Sequence, residues 1–301
     1  MLEGRVALIT GAGRGIGREH ALLFASLGAR VVVNDVGGGS DGAGRDISPA
    51  AELAAEITAA GGEAVASTES VTDFAAAAEM VQHAVDTYGD LDIVVNNAGI
   101  LRDRMLVSMS EDEFDAVVAV HLKGTFNVTR HAAEYWRHRS KQIGNRPRAI
   151  VNTSSGAGLH GNIGQTNYAA AKAGIAAMTI VHARELARYG VRANGIAPIA
   201  RTRLTDQTPG FTERIAGTSW EPADVSPLVA YLASADCPFT GQMFSVYGGA
   251  VGIYSGWSTA AEVSRTGRWT PQELKEAMED RFPREAPAVN PFLAAVGPAR
   301  S

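Results

Sequence analysis

The stretch TGAGRGIG, residues 10–17, lies between the apolar run RVALIT (5–10) and a helical pattern over 16–28. Glycines at such a junction let the backbone approach a ligand closely. The free N–H groups and the positive dipole end of the following helix then stabilise negative charge on that ligand. The stretch therefore predicts a strand, a glycine turn and a helix that together bind a pyrophosphate.

Short β-branched apolar runs alternate with longer helical patterns along most of the chain. The apolar runs cover 5–10, 30–35, 63–67, 91–97, 148–154, 191–198 and 242–248. The helical patterns cover 16–28, 49–60, 73–88, 111–139, 166–190 and 224–234. Unbroken apolar runs are typical of buried parallel strands, and each crossover between parallel strands needs a helix. The alternation predicts an α/β fold, a doubly wound (Rossmann) parallel sheet of about seven strands with helices on both faces.

The alternation stops near residue 252, so we expect 1–252 to form one domain and 253–301 a C-terminal extension. The extension contains the helix pattern TPQELKEAMEDRF (270–282), which begins with a Thr N-cap, then Pro, with Glu at the third helical position. We expect the extension to pack on the same domain or on a neighbouring subunit. Within the domain, the glycine-rich loop 36–48 is either a flexible spacer or a loop that a cofactor or substrate orders.

The composition favours a small-molecule substrate. The 301 residues carry a net charge of −5, so the chain lacks the basic surface typical of nucleic-acid-binding proteins. Cys237 is the only cysteine, which excludes an intrachain disulfide and fits a reducing compartment. No segment reaches the roughly 18 unbroken apolar residues of a membrane span. We therefore expect a cytoplasmic protein without a membrane, nucleic-acid or metal partner.

Asp35 lies 18 residues beyond Gly17, at the end of the second predicted strand. A carboxylate at that place accepts hydrogen bonds from both hydroxyls of an adenosine ribose and repels a 2′-phosphate. Unless Asp35 is only a solvated acid at a strand end, it favours NAD over NADP as the cofactor. Arg14 and Arg18 are the residues that could receive a 2′-phosphate instead.

Three ordered motifs give the sequence a specific resemblance. The motifs are GAGRGIG (11–17), with three residues between its first glycine and the final Gly-Ile-Gly, NNAG (96–99), and SS…YxxxK (154–172). Over residues 5–250 this pattern resembles the short-chain dehydrogenase/reductase family. The resemblance implies an oxidoreductase that transfers hydride between a secondary alcohol or ketone and nicotinamide, with NAD as the cofactor because of Asp35.

The same resemblance implies which residues bind the cofactor. They are Gly11, Arg14, Gly15, Ile16, Gly17, Asp35, Ser70, Val71, Asn97, Ala98, Gly99, Tyr168, Lys172, Pro198, Ile199 and Thr202. For the NNAG residues the alternative is a tight turn at a strand end. Two positions depart from the family pattern, because Ile199 replaces the commoner glycine and the spacing to Thr202 is off by one residue.

The resemblance assigns the catalysis to three residues. The family's serine lies 13 residues before the tyrosine, which selects Ser155 over Ser154. Tyr168 is implied to take the alcohol proton, Ser155 to hydrogen-bond the developing oxyanion, and Lys172 to hold the nicotinamide ribose. Tyr168 and Lys172 lie four residues apart, hence on one helix face, where the ammonium is expected to lower a phenol pKa that is ordinarily about 10. The alternatives are a turn serine and a solvated helix face.

His121 is the uncertain fourth member of this catalytic group. In VHLKGTF (120–126) it stands where most of the family has an asparagine that helps to hold a proton path to the lysine. An imidazole could hydrogen-bond there or titrate near neutrality. The alternative is a histidine that is simply packed within its helix.

Further motifs resemble one subgroup of the family. They are VVVNDVGG (31–38), NNAGILRDR (96–104), GNIGQTNYAAAKAG (161–174) and IAPIARTRLT (196–205). Together with VHLKGTF they resemble the (3R)-hydroxyacyl-CoA dehydrogenase domain of peroxisomal multifunctional enzyme type 2 and related bacterial proteins. The resemblance implies (3R)-hydroxyacyl-CoA thioesters, 17β-hydroxysteroids or steroid side-chain CoA esters as substrates. The alternatives are an NADPH-dependent reductase of 3-oxoacyl carriers or ketones, and a non-catalytic NAD(H)-binding sensor.

Two further features follow from the family pattern. The segment 199–221 corresponds to the substrate lid, where Arg201 and Arg203 either meet CoA phosphates or are ordinary surface arginines. The helices predicted at 111–139 and 166–190 build the dimer face in the family. We therefore expect a homodimer or a homotetramer.

Overall fold

The computed structural model describes residues 1–202, 205, 220–256 and 258–283. In these residues eight strands form one sheet in the order β3-β2-β1-β4-β5-β6-β7-β8. The strands are β1 (Val6–Thr10), β2 (Arg30–Asn34), β3 (Glu63–Ser67), β4 (Ile93–Asn96), β5 (Arg148–Thr153), β6 (Val191–Pro198), β7 (Met243–Tyr247) and β8 (Ala250–Ile253).

Strands β1 to β7 are parallel, which confirms the predicted doubly wound sheet. The eighth strand differs from the prediction of about seven, because β8 pairs antiparallel with β7 through Tyr247↔Ala250. A Gly248-Gly249 turn joins them, and Gly248 has the positive φ of 49° that such tight hairpins use. Ile253, the first residue of the predicted extension, is therefore still part of the sheet.

The helices lie close to their predicted positions. They are α1 (Gly15–Ser26), α2 (Ser48–Ala59), α3 (Phe74–Tyr88), α4 (Glu111–Val118), α5 (Gly124–Ile143), α6 (Gly156–His160), α7 (Thr166–Leu186), α8 (Ser226–Ala233) and α9 (Pro271–Arg281). The single helix predicted at 111–139 is α4 and α5 joined by a π-helical turn, Ala119–Lys123. Such turns are frequent at functional sites.

The sheet has a core on each face, because successive side chains of a strand point to opposite sides. From β1, Ala7 and Ile9 pack with Phe24 of α1, and helices α2 and α8 complete that layer. Val6 and Leu8 pack on the other face with α3, α5 and α7, where Trp136 is fully buried. The predicted helices on both faces are therefore confirmed.

The site is positioned by the strand order. Beyond β1 the chain crosses to β2 and β3 on one side, whereas β4, adjacent to β1, begins the other half. Loops leaving β1 and β4 diverge at this switch point, which opens a crevice at the carboxyl edge of the sheet. TGAGRGIG, NNAG and the Ser154-Ser155 pair all follow strands at that edge.

The C-terminal extension contains the predicted helix. Thr270 and Glu273 form a reciprocal capping box at the start of α9, as the sequence pattern indicates. None of the residues of α9 is buried, so its packing partner stays a prediction. Residues 284–301 lie outside the described part of the chain.

The face of α5 and α7 that is expected to form the dimer carries exposed apolar side chains. Helices α5 and α7 leave Phe126, Ile180 and Val181 exposed at 46%, 37% and 47%. A homodimer or homotetramer through this face stays a prediction, as does the cytoplasmic location. Among the described residues, no helix combines the length and the apolar character needed to cross a bilayer.

His20 is a buried histidine between α1 and α8. It is 0% exposed, and its Nδ1 lies 2.8 Å from the Ser226 hydroxyl. Burial lowers the pKa of His20 from 6.5 to about 3. Between these values the unfolded chain binds a proton that the folded chain excludes. His20 therefore contributes stability that is present above pH 6.5 and is lost as the pH falls towards about 3.

We expect His20→Gln to make the free energy of unfolding less dependent on pH in that window, by about 1.4 kcal/mol per pH unit. Urea denaturation at a series of pH values measures this slope. His138→Gln, at an exposed position on α5, is the control and should leave the slope unchanged. Equal slopes for the His20 variant and the wild type would contradict the assignment.

Candidate active site

The glycine turn after β1 is held against β4. Gly11 has a φ of 61°, and a Cβ there would come within 2.7 Å of Ala98 Cα. The Asn97 amide donates to the carbonyls of Thr10 and Gly11 at 3.1 and 3.0 Å. NNAG is therefore both the strand-end turn and a wall of the crevice, so its two interpretations are compatible.

Gly17 packs inside the glycine turn. It is not among the residues that line the crevice, and the cofactor contact expected of it stays a prediction. A Cβ at Gly17 would lie 2.3 Å from the Gly11 carbonyl oxygen and 2.5 Å from Asn97 Nδ2. Gly17 is thus a packing glycine that lets α1 approach the turn.

Asp35 follows β2 directly and faces the glycine turn. Its Oδ2 accepts a hydrogen bond from the Gly13 N–H at 2.9 Å, and its Oδ1 accepts one from Gly37 at 2.6 Å. A Cβ on Gly13 would lie only 2.9 Å from Asp35 Oδ2, so glycine makes this contact possible. The half-buried carboxylate keeps lone pairs for further donors, because two oxygens offer about four acceptor positions.

The glycine-rich loop 36–48 contacts the segment that follows NNAG. Leu101 N–H donates to the Ser40 carbonyl at 2.9 Å, and Arg102 Nε donates to the Asp41 carbonyl at 2.8 Å. The loop thereby packs against the segment that follows NNAG. Gly38, Gly39 and Gly42 of the loop line the cleft described below, so ordering of the loop by a cofactor or substrate stays a prediction.

Ser155, Tyr168 and Lys172 meet at the carboxyl ends of β5 and β6. Ser155 is the N-cap of α6, where its Oγ accepts a hydrogen bond from Ala157 N–H at 3.2 Å. Lys172 is 3% exposed, and its Nζ donates to the Thr153 carbonyl at 2.6 Å and lies 5.5 Å from the centre of the Tyr168 ring. The neighbouring Ser154 is instead occupied with the Lys172 carbonyl at 2.7 Å.

Burial dominates the electrostatics of this group. Desolvation raises the pKa of Tyr168 to about 12, a hydrogen bond from Ser155 opposes this, and the negative charge of Asp103 adds to it. Burial lowers the pKa of Lys172 to about 7. Lys172 is not among the causes of the shift in the Tyr168 pKa, so the expected lowering of the phenol pKa by this ammonium stays a prediction.

His121 lies within the π-helical turn and packs edge-on against Tyr168. The ring centres are 5.1 Å apart at an angle of 89°. Its Nε2 lies 2.8 Å from the carbonyl and 3.0 Å from the N–H of Ile100, and its buried Nδ1 has no partner among the described residues. Burial, with the nearby Lys172, lowers the pKa of His121 well below its usual value, so the ring is neutral at pH 7. His121 therefore packs against the tyrosine ring, and its place in the catalytic group stays a prediction.

The predicted site residues converge on one cleft of about 450 Å³. Apart from Gly17, every residue assigned to the site lines it. These are Gly11, Arg14, Gly15, Ile16, Asp35, Ser70, Val71, Asn97, Ala98, Gly99, His121, Ser155, Tyr168, Lys172, Pro198, Ile199 and Thr202. The sequence analysis missed Asn162 and Gln165, which also line the cleft, and the acid behind them, Asp103. The polar run GNIGQTNY before the tyrosine was the available signal.

The predicted lid lies largely outside the described residues, which include Arg201 but not Arg203. Arg201 is exposed and its N–H donates to the Trp220 carbonyl at 2.9 Å. Thr202 forms a small turn in which its N–H donates to the Thr205 hydroxyl at 2.7 Å.

The cleft fits a dinucleotide. At one end α1 begins at Gly15 with no acidic residue in its first turn, so its free N–H groups and dipole suit a pyrophosphate. Asp35 lies one strand from that turn and is bonded to it through the Gly13 N–H. At the other end Tyr168 and Lys172 offer a hydroxyl and an amine. The arrangement can hold a charged dinucleotide and move a proton beside it.

Comparison with known proteins agrees with this geometry. The family model for short chain dehydrogenases matches residues 5–210. The hydroxyacyl-CoA dehydrogenase ChsB1 of Mycobacterium tuberculosis is 47% identical over 93% of this chain and 89% of its own length. Mouse peroxisomal multifunctional enzyme type 2 is 41% identical over 92% of this chain, which spans 36% of that enzyme.

The crystal structure of a short chain dehydrogenase from Mycobacterium avium is similar with a TM-score of 0.82 and 50% identity, covering 93% of this chain and 94% of that one. The fold, the carboxyl-edge cleft and these relatives lead to one conclusion. The chain belongs to the short-chain dehydrogenase family of oxidoreductases, which use a nicotinamide cofactor.

Proposed function

We propose that this oxidoreductase is an NAD-dependent dehydrogenase of secondary alcohols, with (3R)-hydroxyacyl-CoA thioesters or steroid-type alcohols as its substrates. One observation carries the proposal: Ser155, Tyr168 and Lys172 line the same cleft as Asp35. The first three offer a hydroxyl donor, a phenol and an amine for proton transfer, whereas the carboxylate suits an unphosphorylated ribose. The relative named hydroxyacyl-CoA dehydrogenase ChsB1 supports the acyl-CoA class.

When NAD is bound, it supplies the hydride acceptor. The glycine turn and the first turn of α1 would hold its pyrophosphate, Asp35 its adenosine ribose and Lys172 its nicotinamide ribose. Ser155 Oγ hydrogen-bonds the alcohol oxygen and stabilises the charge that develops on it. In oxidation Tyr168 acts as the general base in its phenolate form, whose Oη takes the hydroxyl proton and becomes the neutral phenol. In ketone reduction the neutral phenol returns that proton as the acid.

Lys172 assists this proton transfer from a dry environment. Its Nζ is anchored on the Thr153 carbonyl at 2.6 Å, and its pKa of about 7 means that it gains and loses a proton near neutrality. Oxidation requires the tyrosine to accept a proton, so we expect the rate of alcohol oxidation to rise with pH. Ketone reduction should follow the opposite trend.

The decisive experiment measures NADH formation with a panel of (3R)- and (3S)-hydroxyacyl-CoA esters of several chain lengths, steroid CoA esters and a free 17β-hydroxysteroid. We expect turnover of the (3R) thioesters with NAD and much less with NADP. Activity with only the free steroid would overturn the CoA assignment. Preferential ketone reduction with NADPH would identify a carrier or ketone reductase instead.

Asp103→Asn tests the electrostatics around Tyr168. The charge of Asp103 raises the pKa of Tyr168, so its removal should lower that pKa. The acidic limb of kcat/KM for alcohol oxidation is then expected to move to lower pH. Asp112→Asn, an exposed acid on α4, is the matched control, and an unmoved limb in the Asp103 variant would contradict the assignment.

A further inference from the structure

We propose that Gln165 is a specificity-determining residue whose side-chain amide donates a hydrogen bond to the thioester carbonyl of a 3-hydroxyacyl substrate. This inference rests on the proposed function, because it concerns the substrate of that same cleft. The C1 carbonyl is the group that distinguishes a 3-hydroxyacyl thioester from a plain secondary alcohol. It lies two carbons from C3, the carbon that carries the reacting hydroxyl.

The orientation of the Gln165 amide is fixed from both ends. Its Nε2 donates to Asp103 Oδ2 at 2.7 Å, and its Oε1 accepts from Asn162 Nδ2 at 3.0 Å. A carboxylate can only accept and an N–H can only donate, so this chain of bonds leaves one assignment for the amide. One N–H of Nε2 is used by Asp103, which leaves the second N–H as a donor. Gln165 is 5% exposed, and the surface that it shows lines the cleft.

Gln165 stands next to the reacting groups. It is the N-cap of α7, and Tyr168 lies three residues later in the first turn of the same helix. Side chains three residues apart on a helix lie roughly 5–6 Å from each other at their Cβ atoms. With the substrate hydroxyl held by Tyr168 and Ser155, the C1 carbonyl is two carbons away, within the reach of this neighbouring amide. The backbone just before Gln165 is also held in place, because the Arg104 N–H donates to the Gly164 carbonyl at 2.8 Å.

The charge behind Gln165 favours a neutral acceptor. Asp103 makes no ion pair within the described residues, because Arg102 donates to the Asp41 carbonyl and Arg104 pairs with Glu113 at 2.7 Å. An uncompensated carboxylate polarises the amide that it binds and strengthens its donor end. The same charge repels the carboxylate of a free hydroxy acid. A thioester carbonyl accepts a hydrogen bond from the amide and carries no charge that Asp103 would repel. A plain alcohol brings no acceptor to this position.

The test is a double-mutant cycle between one side chain and one substrate atom. The two substrates are the N-acetylcysteamine thioester of (3R)-3-hydroxybutanoic acid and the corresponding (3R)-3-hydroxybutyl thioether, in which CH₂ replaces the carbonyl. Wild type, Gln165→Leu and the longer Gln165→Met are compared by kcat/KM with saturating NAD. We expect both variants to lose about tenfold on the thioester and less than about twofold on the thioether, as for one hydrogen bond.

The difference in intrinsic reactivity between the two alcohols cancels when the ratios of kcat/KM for variant and wild type are compared. What remains is the interaction between Gln165 and the substrate carbonyl. Gln82→Leu, an exposed glutamine on α3 whose amide donates to Asp86 at 2.6 Å, should change neither rate. Equal losses on both substrates would reduce Gln165 to a structural residue and overturn the inference. If wild type oxidises neither substrate, nor any member of the panel above, the proposed function itself has failed.

Discussion

Tyr168→Phe is expected to lower kcat for NADH formation by about 10²- to 10⁴-fold, the usual contribution of a general acid or base. The substitution removes only the hydroxyl that exchanges the proton. The ring should stay in place, since His121 packs edge-on against it at 5.1 Å. Lys172 keeps its bond to the Thr153 carbonyl, so the dissociation constant for NADH should change by less than about twofold.

The two readouts are stopped-flow or steady-state NADH formation and NADH fluorescence titration. Tyr189→Phe, in the 3₁₀ turn at the far end of the same helix, is the matched control and should retain wild-type turnover. Turnover close to wild type in Tyr168→Phe would refute the mechanism. A parallel loss of NADH affinity would instead indicate that the hydroxyl positions the cofactor.

The positions of Gly11, Asp35 and Ser155 could be predicted from the sequence for a general reason. Each lies at the end of a predicted parallel strand or directly after it, and the carboxyl ends of parallel strands share one edge of the sheet. The sheet order was not needed to place them in one cleft. The helix start at Thr270 was equally predictable, because its capping box involves only residues three apart.

The contacts that modify this site join distant parts of the chain. Asp103 and Gln165 are 62 residues apart, and neither belongs to a motif whose spacing predicts a bond. The pKa of Tyr168 depends on how completely α7 and its neighbours exclude water, which the YAAAK spacing does not encode. The packing of Gly17 could not be predicted either, because a Gly-Ile-Gly pattern does not reveal which glycine lines the cleft and which packs against Asn97.

Asp35→Ala is expected to lower kcat/KM with NAD by about 10- to 100-fold, because a hydrogen bond to a charged acceptor contributes roughly 1.5–3 kcal/mol. The efficiency with NADP should fall less or rise, since the charge that repels a 2′-phosphate is gone. Arg14 and Arg18 could then receive that phosphate. In the wild type both are ion-paired, Arg14 with Asp46 at 3.5 Å and Arg18 with Glu56 at 2.6 Å.

Asp35 also accepts from Gly13 and Gly37, so its loss could weaken both cofactors by loosening the turn. Asp35→Asn disturbs the turn less than Asp35→Ala, because its amide oxygen still accepts one of the two backbone hydrogen bonds and carries no charge. We expect this variant to keep one of the two turn bonds and still shift the ratio of the two kcat/KM values towards NADP. Asp41→Ala, an exposed acid of the same loop, is the control. An unchanged ratio in both Asp35 variants would mean that another residue sets the preference, whereas a shift in both would trace it to the Asp35 carboxylate.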